Sequence, residues 1–202
     1  VREIQTQTRY VGLDEAEEPI YDHSIPMPIL TFKGTVKLHG SNAAVAYNEV
    51  DGLWAQSRTN IITPEKDNAG FAQFVEANKE YFQKLINHVI DVNSVNTKTN
   101  NIVVYFEWCG GNIQKNVSIN GLDKMAVIIA AKIAPADEDL VSYYVDSSML
   151  SSAHQRIHNI EEFGTYSITI DFQYPQLIQN ELIKLVEEVE AECPVGKAFG
   201  RK

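Results

Sequence analysis

The sequence predicts a domain of the α+β class in which most strands pair antiparallel. Short runs of β-branched and aromatic residues are separated by turn residues, a pattern that is typical of a strand–turn–strand meander. Apolar residues recur with helical spacing over residues 68–90 and predict one long helix. Pro175 opens a second predicted helix over residues 176–192. The strand–glycine–helix order of a Rossmann motif or a P-loop is absent from the sequence.

The remaining elements follow from the same patterns, taken in chain order. Residues 1–28 are polar and predict a strand or short helix followed by a loop. The predicted strands are 29–36, 43–47, 53–57, 102–106, 125–133 and 165–172. Residues 91–101 are polar and rich in asparagine, and they predict a loop. No internal linker interrupts these elements, so we expect residues 1–202 to form one domain.

Length and composition are those of an ordinary globular protein. The 202 residues are 44% hydrophobic and 22% charged, and they suffice for one sizeable core. No apolar run approaches the ~20 residues of a membrane-spanning helix. Cys109 and Cys193 are far apart in sequence and have no ligand-like neighbours. This cysteine usage predicts a reducing, intracellular and therefore cytoplasmic location.

The formal charge of −10 is concentrated in one part of the sequence. Residues 135–192 contain twelve acids and two bases, whereas the rest contains fifteen of each. Because a nucleic-acid partner requires a basic surface, the acidic part argues against broad duplex binding unless it faces away from the site. The N-terminal half can form a local basic surface from Arg58, Lys66, Lys115, Lys124 and Lys132.

The chemistry is centred on Lys37, which lies between two apolar residues where a predicted strand ends. We expect these neighbours to draw the side chain toward the interior. Burial lowers the pKa of an amine, which is one way that a lysine becomes a nucleophile near neutral pH. Gly40 allows a tight turn or a close approach of the backbone to a phosphate. Alone, a Lys-x-x-Gly pattern is a weak signal.

Three further charged side chains stand at the ends of predicted strands. Arg58 follows one strand, Glu107 ends a buried strand before a double glycine, and Lys132 ends another apolar strand. Strand ends share a rim on which sites are commonly built. An amine, a guanidinium and a carboxylate on one rim suit a phosphorylated sugar, because arginine binds phosphate oxygens and a carboxylate accepts hydrogen bonds from ribose hydroxyls.

The order of these residues resembles the covalent nucleotidyltransferases. The motifs are Lys37-Leu-His-Gly-Ser-Asn42, then Ser57-Arg58, then Phe106-Glu107-Trp-Cys-Gly110. The first motif is similar to the Lys-x-His-Gly-(Ser/Thr)-Asn form of the RNA ligase 2 family, which includes phage nick-sealing ligases and RNA-editing ligases. The resemblance covers about residues 29–133 and continues more loosely to Gly200. It would suit a phage- or virus-encoded protein.

The resemblance implies a fold, a reaction and its partners. The fold is that of DNA and RNA ligase adenylation domains (ATP-grasp-like), with mainly antiparallel sheets around a nucleotide groove and peripheral helices. The reaction is ATP-dependent RNA ligation, in which Lys37 attacks the α-phosphate of ATP and holds AMP through a phosphoramide bond. ATP and Mg²⁺ or Mn²⁺ are the implied cofactors. The implied RNA partner is a nicked duplex or a pair of bridged ends.

Residue roles are also carried over from the resemblance. Asn42 would contact the nucleotide or the nick. Arg58 would bind the nucleotide sugar or phosphate and assist strand joining, and Glu107 would accept hydrogen bonds from the ribose hydroxyls. The aromatic residue that stacks on adenine in the family would fall near Ile128, where this sequence offers only aliphatic side chains.

The other implied nucleotide-binding positions are Val36, His39 and Gly40 of the first motif, together with Lys132. His39 is better explained as a structural hydrogen-bonding residue than as an acid or base, and Lys132 is equally explained as a lysine that extends from a strand end to solvent. The metal ligands are not assigned by the sequence.

Several alternatives stay open at this point. The family continues with a Glu-Gly motif and a Lys-x-Lys motif, and neither occurs before Lys202. We therefore expect residues 1–202 to be one adenylyltransferase domain that is incomplete at its C-terminus. A DNA ligase and an mRNA-capping guanylyltransferase are alternatives within the enzyme class. A non-catalytic nucleotide- or RNA-binding relic of a ligase is the alternative from another class.

Overall fold

Helices and strands are mixed along the chain in the computed structural model, which describes residues 1–137 and 139–201. The helices are α1 (Arg2–Arg9), α2 (Phe71–Ala77), α3 (Lys79–Asn93), α4 (Gln179–Ala191) and α5 (Pro194–Ala198). The strands are β1 (Tyr10–Leu13), β2 (Pro19–Tyr21), β3 (Ile29–Thr35), β4 (Ser41–Asn48), β5 (Gly52–Ser57), β6 (Ile61–Ile62), β7 (Asn100–Cys109), β8 (Met125–Pro135), β9 (Tyr143–Val145), β10 (Ile157–Asn159) and β11 (Thr165–Asp171). None of the described helices is long and apolar enough to cross a bilayer.

Strand pairing in the described chain is antiparallel except between β8 and β10, which run parallel. The prediction of an α+β chain with mainly antiparallel sheets is therefore confirmed. The parallel pair was not predicted, because β10 has only three residues and too little sequence for a periodicity to emerge.

The chain divides into two compact units, the first of which comprises Val1–Val36 and Thr165–Pro194. Its longest pair joins β3 to β11, from Thr35 opposite Thr165 to Ile29 opposite Asp171. Arg9 is buried in this unit, where its guanidinium donates to the carbonyl of Ile25 and to the side chain of Gln173. The expectation of a single domain over residues 1–202 stays a prediction.

The second unit runs from Lys37 to Gly164 and includes the segment from Val195 onward. Its sheet has the order β10–β8–β7–β4–β5–β6, and β9 pairs with the other half of β8. Side chains alternate between two faces. One face, here called the helix face, packs against α2 and α3 through residues such as Val45 and Val104. The opposite face carries Ala44, Ala46 and Val103 and is called the second face.

The predicted helix over residues 68–90 is two helices, α2 and α3, so this boundary prediction was wrong. Asn78 separates them with φ −127° and ψ 27°, and its side-chain amide donates to the carbonyl of Phe74. An asparagine side chain that bonds the backbone competes with the helical hydrogen-bond ladder. The apolar spacing continues across the break, because Phe74 and Phe82 pack edge-to-face with ring centroids 5.8 Å apart.

Candidate active site

The loop that carries Lys37 returns onto the end of strand β7. The backbone N–H of Gly40 donates to Oε1 of Glu107 at 2.7 Å. A Cβ atom at Gly40 would lie 2.5 Å from the carbonyl oxygen of Trp108 and 2.8 Å from Cβ of Cys109. Only glycine fits this approach without displacing backbone atoms. The sequence pairing of Lys37 with a glycine three residues later thus has a local structural cause.

Strand register brings other predicted site residues to the same end of the sheet. Asn42 on β4 lies directly opposite Glu107 on β7, and both project from the second face. Arg58 follows Ser57, whose partner on β4 is Ala43. The structure therefore gathers the Lys37 loop, Asn42, Arg58 and Glu107 at one end of the strands β4, β5 and β7.

A polar cavity of about 550 Å³ opens at this end of the sheet. It is lined by Gly40, Ser41, Asn42, Ser57, Arg58, Asn60, Ile61, Ile62, Lys66, Asp67 and Asn68. Asn60 and Asn68 were not predicted to line a site, and Lys66 was predicted only as part of a general basic surface. The available signal was the cluster of turn residues between the short strand β6 and helix α2.

One wall of the cavity is held by a strained turn before α2. Ala69 has φ 52° and Gly70 has φ 86°, and a left-handed conformation is uncommon for alanine. The carbonyl of Ala69 accepts hydrogen bonds from the indole N–H of Trp108 at 3.0 Å and from Nζ of Lys124 at 2.7 Å. These two bonds fix the turn, so Lys124 has a structural task in this structure.

The expectation that the side chain of Lys37 is drawn toward the interior is wrong. Its neighbours Val36 and Leu38 are buried, whereas Lys37 itself and His39 are exposed. Alternation along an extended backbone explains this result, because successive side chains point to opposite sides. His39 makes no hydrogen bond with any described residue. Val36, which was also predicted to bind the nucleotide, belongs to the first compact unit, whereas Lys37 begins the second.

Two predicted nucleotide-binding residues are not placed beside Glu107. Ile128 is 0% exposed and packs in the core on the helix face, so it cannot cover a purine ring bound at the second face. The residue opposite Glu107 is its neighbour Val127. Lys132 lies inside β8 rather than at its end and pairs with Val103. At ~3.3 Å per residue, about 13 Å of strand separates that position from Glu107.

The described residues contain no group of three or more His, Cys, Asp or Glu side chains that could hold a metal ion. Mg²⁺ is usually held by one or two carboxylates together with substrate phosphates, so the implied Mg²⁺ or Mn²⁺ stays a prediction.

The buried thiol of Cys109 provides a test of how well this end of the sheet is packed. Burial, assisted by the nearby Glu107 carboxylate, raises the pKa of Cys109 to about 12. At pH 8 only about one thiol in ten thousand is then ionised, and the thiolate is the reactive form. We expect iodoacetamide to leave Cys109 unmodified in the native chain, to modify it faster as the pH rises toward 12, and to modify it readily in urea.

Peptide mapping by mass spectrometry would measure this modification. The partly exposed Cys193 reports within the same sample that the reagent is active. Equal native rates at both cysteines would show that the packing around Glu107 is looser than described.

Comparison with known proteins identifies the family. A family model described as RNA ligase matches residues 31–188, which include the Lys37 loop, Arg58 and Glu107. This chain belongs to the RNA ligase family, as the resemblance implied, and RNA and a nucleotide are the partners that the family implies. A comparison with curated proteins gave no match.

Proposed function

We propose that this chain is an ATP-dependent RNA ligase that works through a covalent lysyl-AMP intermediate. Nζ of Lys37 attacks the α-phosphate of ATP, a nitrogen–phosphorus bond forms, and pyrophosphate leaves. The AMP then passes to the 5′-phosphate of an RNA strand, and Lys37 is released as the amine. The 3′-hydroxyl of the other strand attacks that phosphate, so that a phosphodiester forms and AMP leaves. Mg²⁺ or Mn²⁺ would enter with ATP as part of the substrate.

The observation that carries this proposal is the hydrogen bond between the Gly40 N–H and Glu107. This bond holds the loop that carries the exposed Lys37 against strand β7, which presents the carboxylate of Glu107. A nucleotide whose ribose is bound by Glu107 would therefore have its phosphates near the Lys37 loop. Holding reactants in place is a large part of catalysis in phosphoryl-type transfer.

The neighbouring side chains suit the other parts of the nucleotide. Oε1 of Glu107 is occupied by Gly40, and no described residue donates to Oε2. We propose that Oε2 accepts a hydrogen bond from a ribose hydroxyl. Arg58 is exposed at the tip of the β5–β6 hairpin, where its guanidinium can bind phosphate oxygens in a fork. Asn42, exposed beside it, can donate to the nucleotide or to the nick.

We also propose that residues 1–202 act as one adenylyltransferase domain with the nucleotidyltransferase fold of ligases, in the cytoplasm. The mainly antiparallel sheet supports this proposal. The sheet also supports it because helices cover one of its faces, and Asn42 and Glu107 project from the other.

The variant Glu107→Gln is expected to slow formation of the AMP adduct by about 10- to 150-fold. A hydrogen bond to a charged group contributes about 1.5–3 kcal/mol, and the amide loses the charge that both Gly40 and the ribose hydroxyl use. The rate of adduct formation as a function of ATP concentration would measure this loss. Glu76→Gln is the matched control, because Glu76 is exposed on α2 over the helix face. A Glu107→Gln rate within twofold of wild type would remove Glu107 from the nucleotide site.

The proposed function is tested by strand joining on defined nicks. We expect ATP-dependent sealing of a nicked duplex with RNA strands, and much weaker sealing of the DNA equivalent. Preferential sealing of DNA would favour a DNA ligase, and covalent transfer from GTP instead of ATP would favour a guanylyltransferase. Tight RNA or nucleotide binding without any covalent transfer would favour the non-catalytic relic.

A further inference from the structure

The cavity at the end of β4 and β5 contains a second cation that the proposed mechanism does not use. Lys66 lines this cavity together with Arg58. Both side chains are exposed, and neither makes a hydrogen bond or an ion pair through its side chain with any described residue. In a protein with a net charge of −10, carboxylates are plentiful, so two unpaired cations at one cavity point to an anionic ligand.

Two tight turns hold these cations in position. Arg58 lies in the turn between β5 and β6, which is closed by a bond from the N–H of Ser57 to the carbonyl of Asn60 at 2.8 Å. Lys66 ends the next turn, in which its N–H donates to the carbonyl of Thr63 at 3.0 Å. Pro64 occupies the second position of that turn and restricts its backbone. The backbone at both cations thus belongs to short, closed turns.

The carboxylate that lines the same cavity is already engaged. Oδ1 of Asp67 accepts the backbone N–H groups of Asn68 at 2.6 Å and Ala72 at 2.7 Å, and Oδ2 accepts that of Gln73 at 3.0 Å. Three such bonds satisfy this carboxylate at the start of α2. Glu65, the sequence neighbour of Lys66, forms no ion pair with it. The cavity consequently keeps a positive end.

Neutral polar groups complete the lining. The amide of Asn68 donates to the hydroxyl of Ser41 at 2.8 Å, which leaves the amide oxygen free to accept. Asn42 is exposed on the wall nearest Glu107. Cations that are interspersed with hydroxyl and amide groups match a phosphate attached to a sugar, rather than an isolated inorganic ion.

We propose that Lys66 binds a backbone phosphate of the RNA strand that is being joined, and that Arg58 acts with it in the strand-joining step, after AMP has passed from Lys37 to the RNA. This inference rests on the proposed function for the identity of the ligand. Lys66 then contributes to RNA affinity and has no part in the transfer of AMP to Lys37, because it belongs to the turn between β6 and α2 and not to the Lys37 loop or to strand β7.

The test compares RNA binding and AMP uptake in the same variants. A fluorescent nicked RNA duplex with a 5′-phosphate is the probe for binding, and α-labelled ATP is the probe for AMP uptake. We expect Lys66→Ala to weaken RNA binding about 5- to 10-fold and to lower the salt slope by about one, as for the loss of one phosphate contact. AMP uptake should stay within twofold of wild type. Lys66→Arg should preserve binding.

Lys79→Ala is the matched control, because Lys79 is an exposed lysine at the start of α3 over the helix face. The inference is overturned if Lys66→Ala binds RNA with wild-type affinity and salt slope, or if it loses AMP uptake while RNA binding is unchanged. A wild-type chain that takes up no AMP but binds RNA through Lys66 would refute the proposed catalysis and leave this inference standing.

Discussion

The variant Lys37→Ala is expected to abolish ATP-dependent joining of RNA, with a loss of at least about 10³-fold. Removal of a covalent nucleophile costs this much or more, because no other group can form the intermediate. Joining of an RNA strand that already carries AMP on its 5′-phosphate should be affected far less, since Lys37 has no covalent part in the last step. Sealing assays with the two substrates in parallel measure the contrast.

Lys37→Arg separates the charge of this residue from its nucleophilicity. The arginine keeps a cation at this exposed position, and its guanidinium stays protonated and does not form the adduct. We expect it to fail with ATP as completely as the alanine variant. If either variant joins RNA strands in the presence of ATP at the wild-type rate, Lys37 is not the nucleophile.

The second large effect is expected for Gly40→Ala. The added methyl group would lie 2.5 Å from the carbonyl oxygen of Trp108, and that atom belongs to the backbone of a central strand. Relief requires the loop to move, which breaks the 2.7 Å bond to Glu107. Overpacking of this kind costs about 1–3 kcal/mol. A shifted nucleophile should then lower kcat/KM for adduct formation by on the order of 10²-fold.

Gly34→Ala is the control for this substitution. A Cβ atom there would meet its nearest neighbour, the carbonyl oxygen of Tyr166, at an ordinary contact distance of 3.7 Å. We expect this variant to form the adduct within twofold of the wild-type rate, and thermal unfolding would show whether either variant folds less stably. Full activity in Gly40→Ala would mean that the close approach to β7 is not needed for the reaction.

Much of the fold was predictable because the strands are long enough to show either a continuous apolar run or a period-two pattern. The strand predicted over residues 125–133 is observed as Met125–Pro135, and the one over residues 165–172 as Thr165–Asp171. Residues 91–93 were assigned to a loop but extend α3 to Asn93. Residues 91–93 are exposed and include only one apolar side chain, Val92, so the apolar spacing does not define where this helix ends.

The site was predictable at positions where the structure requires one particular residue type. Gly40 is required by contact with β7, and Glu107 lies two residues before the end of β7, whose apolar residues identify it as a strand. The position of Ile128 was implied by the family resemblance alone, whereas the register of β8 places Val127 opposite Glu107 and packs Ile128 on the helix face. The pairing of β7 with β8 is irregular between Tyr105 and Phe106, and this irregularity shifts the register of β8. A bulge of this kind has no reliable sequence signature.

Lys66 could not have been assigned from sequence, because its proximity to Arg58 depends on two successive turns. Eight positions separate the two residues along the chain, and no periodicity connects them. Only the folded hairpins place both at one cavity. Cavities that are formed by loops depend on tertiary structure far more than on local pattern.

The lysyl-AMP intermediate is tested most directly by incubating the chain with α-labelled ATP and Mg²⁺ or Mn²⁺, followed by denaturing electrophoresis and peptide mapping. The account predicts label that survives denaturation, maps to the peptide containing Lys37, and is absent from Lys37→Ala. Label that persists in Lys37→Ala, or a wild-type chain that takes up none, would contradict it.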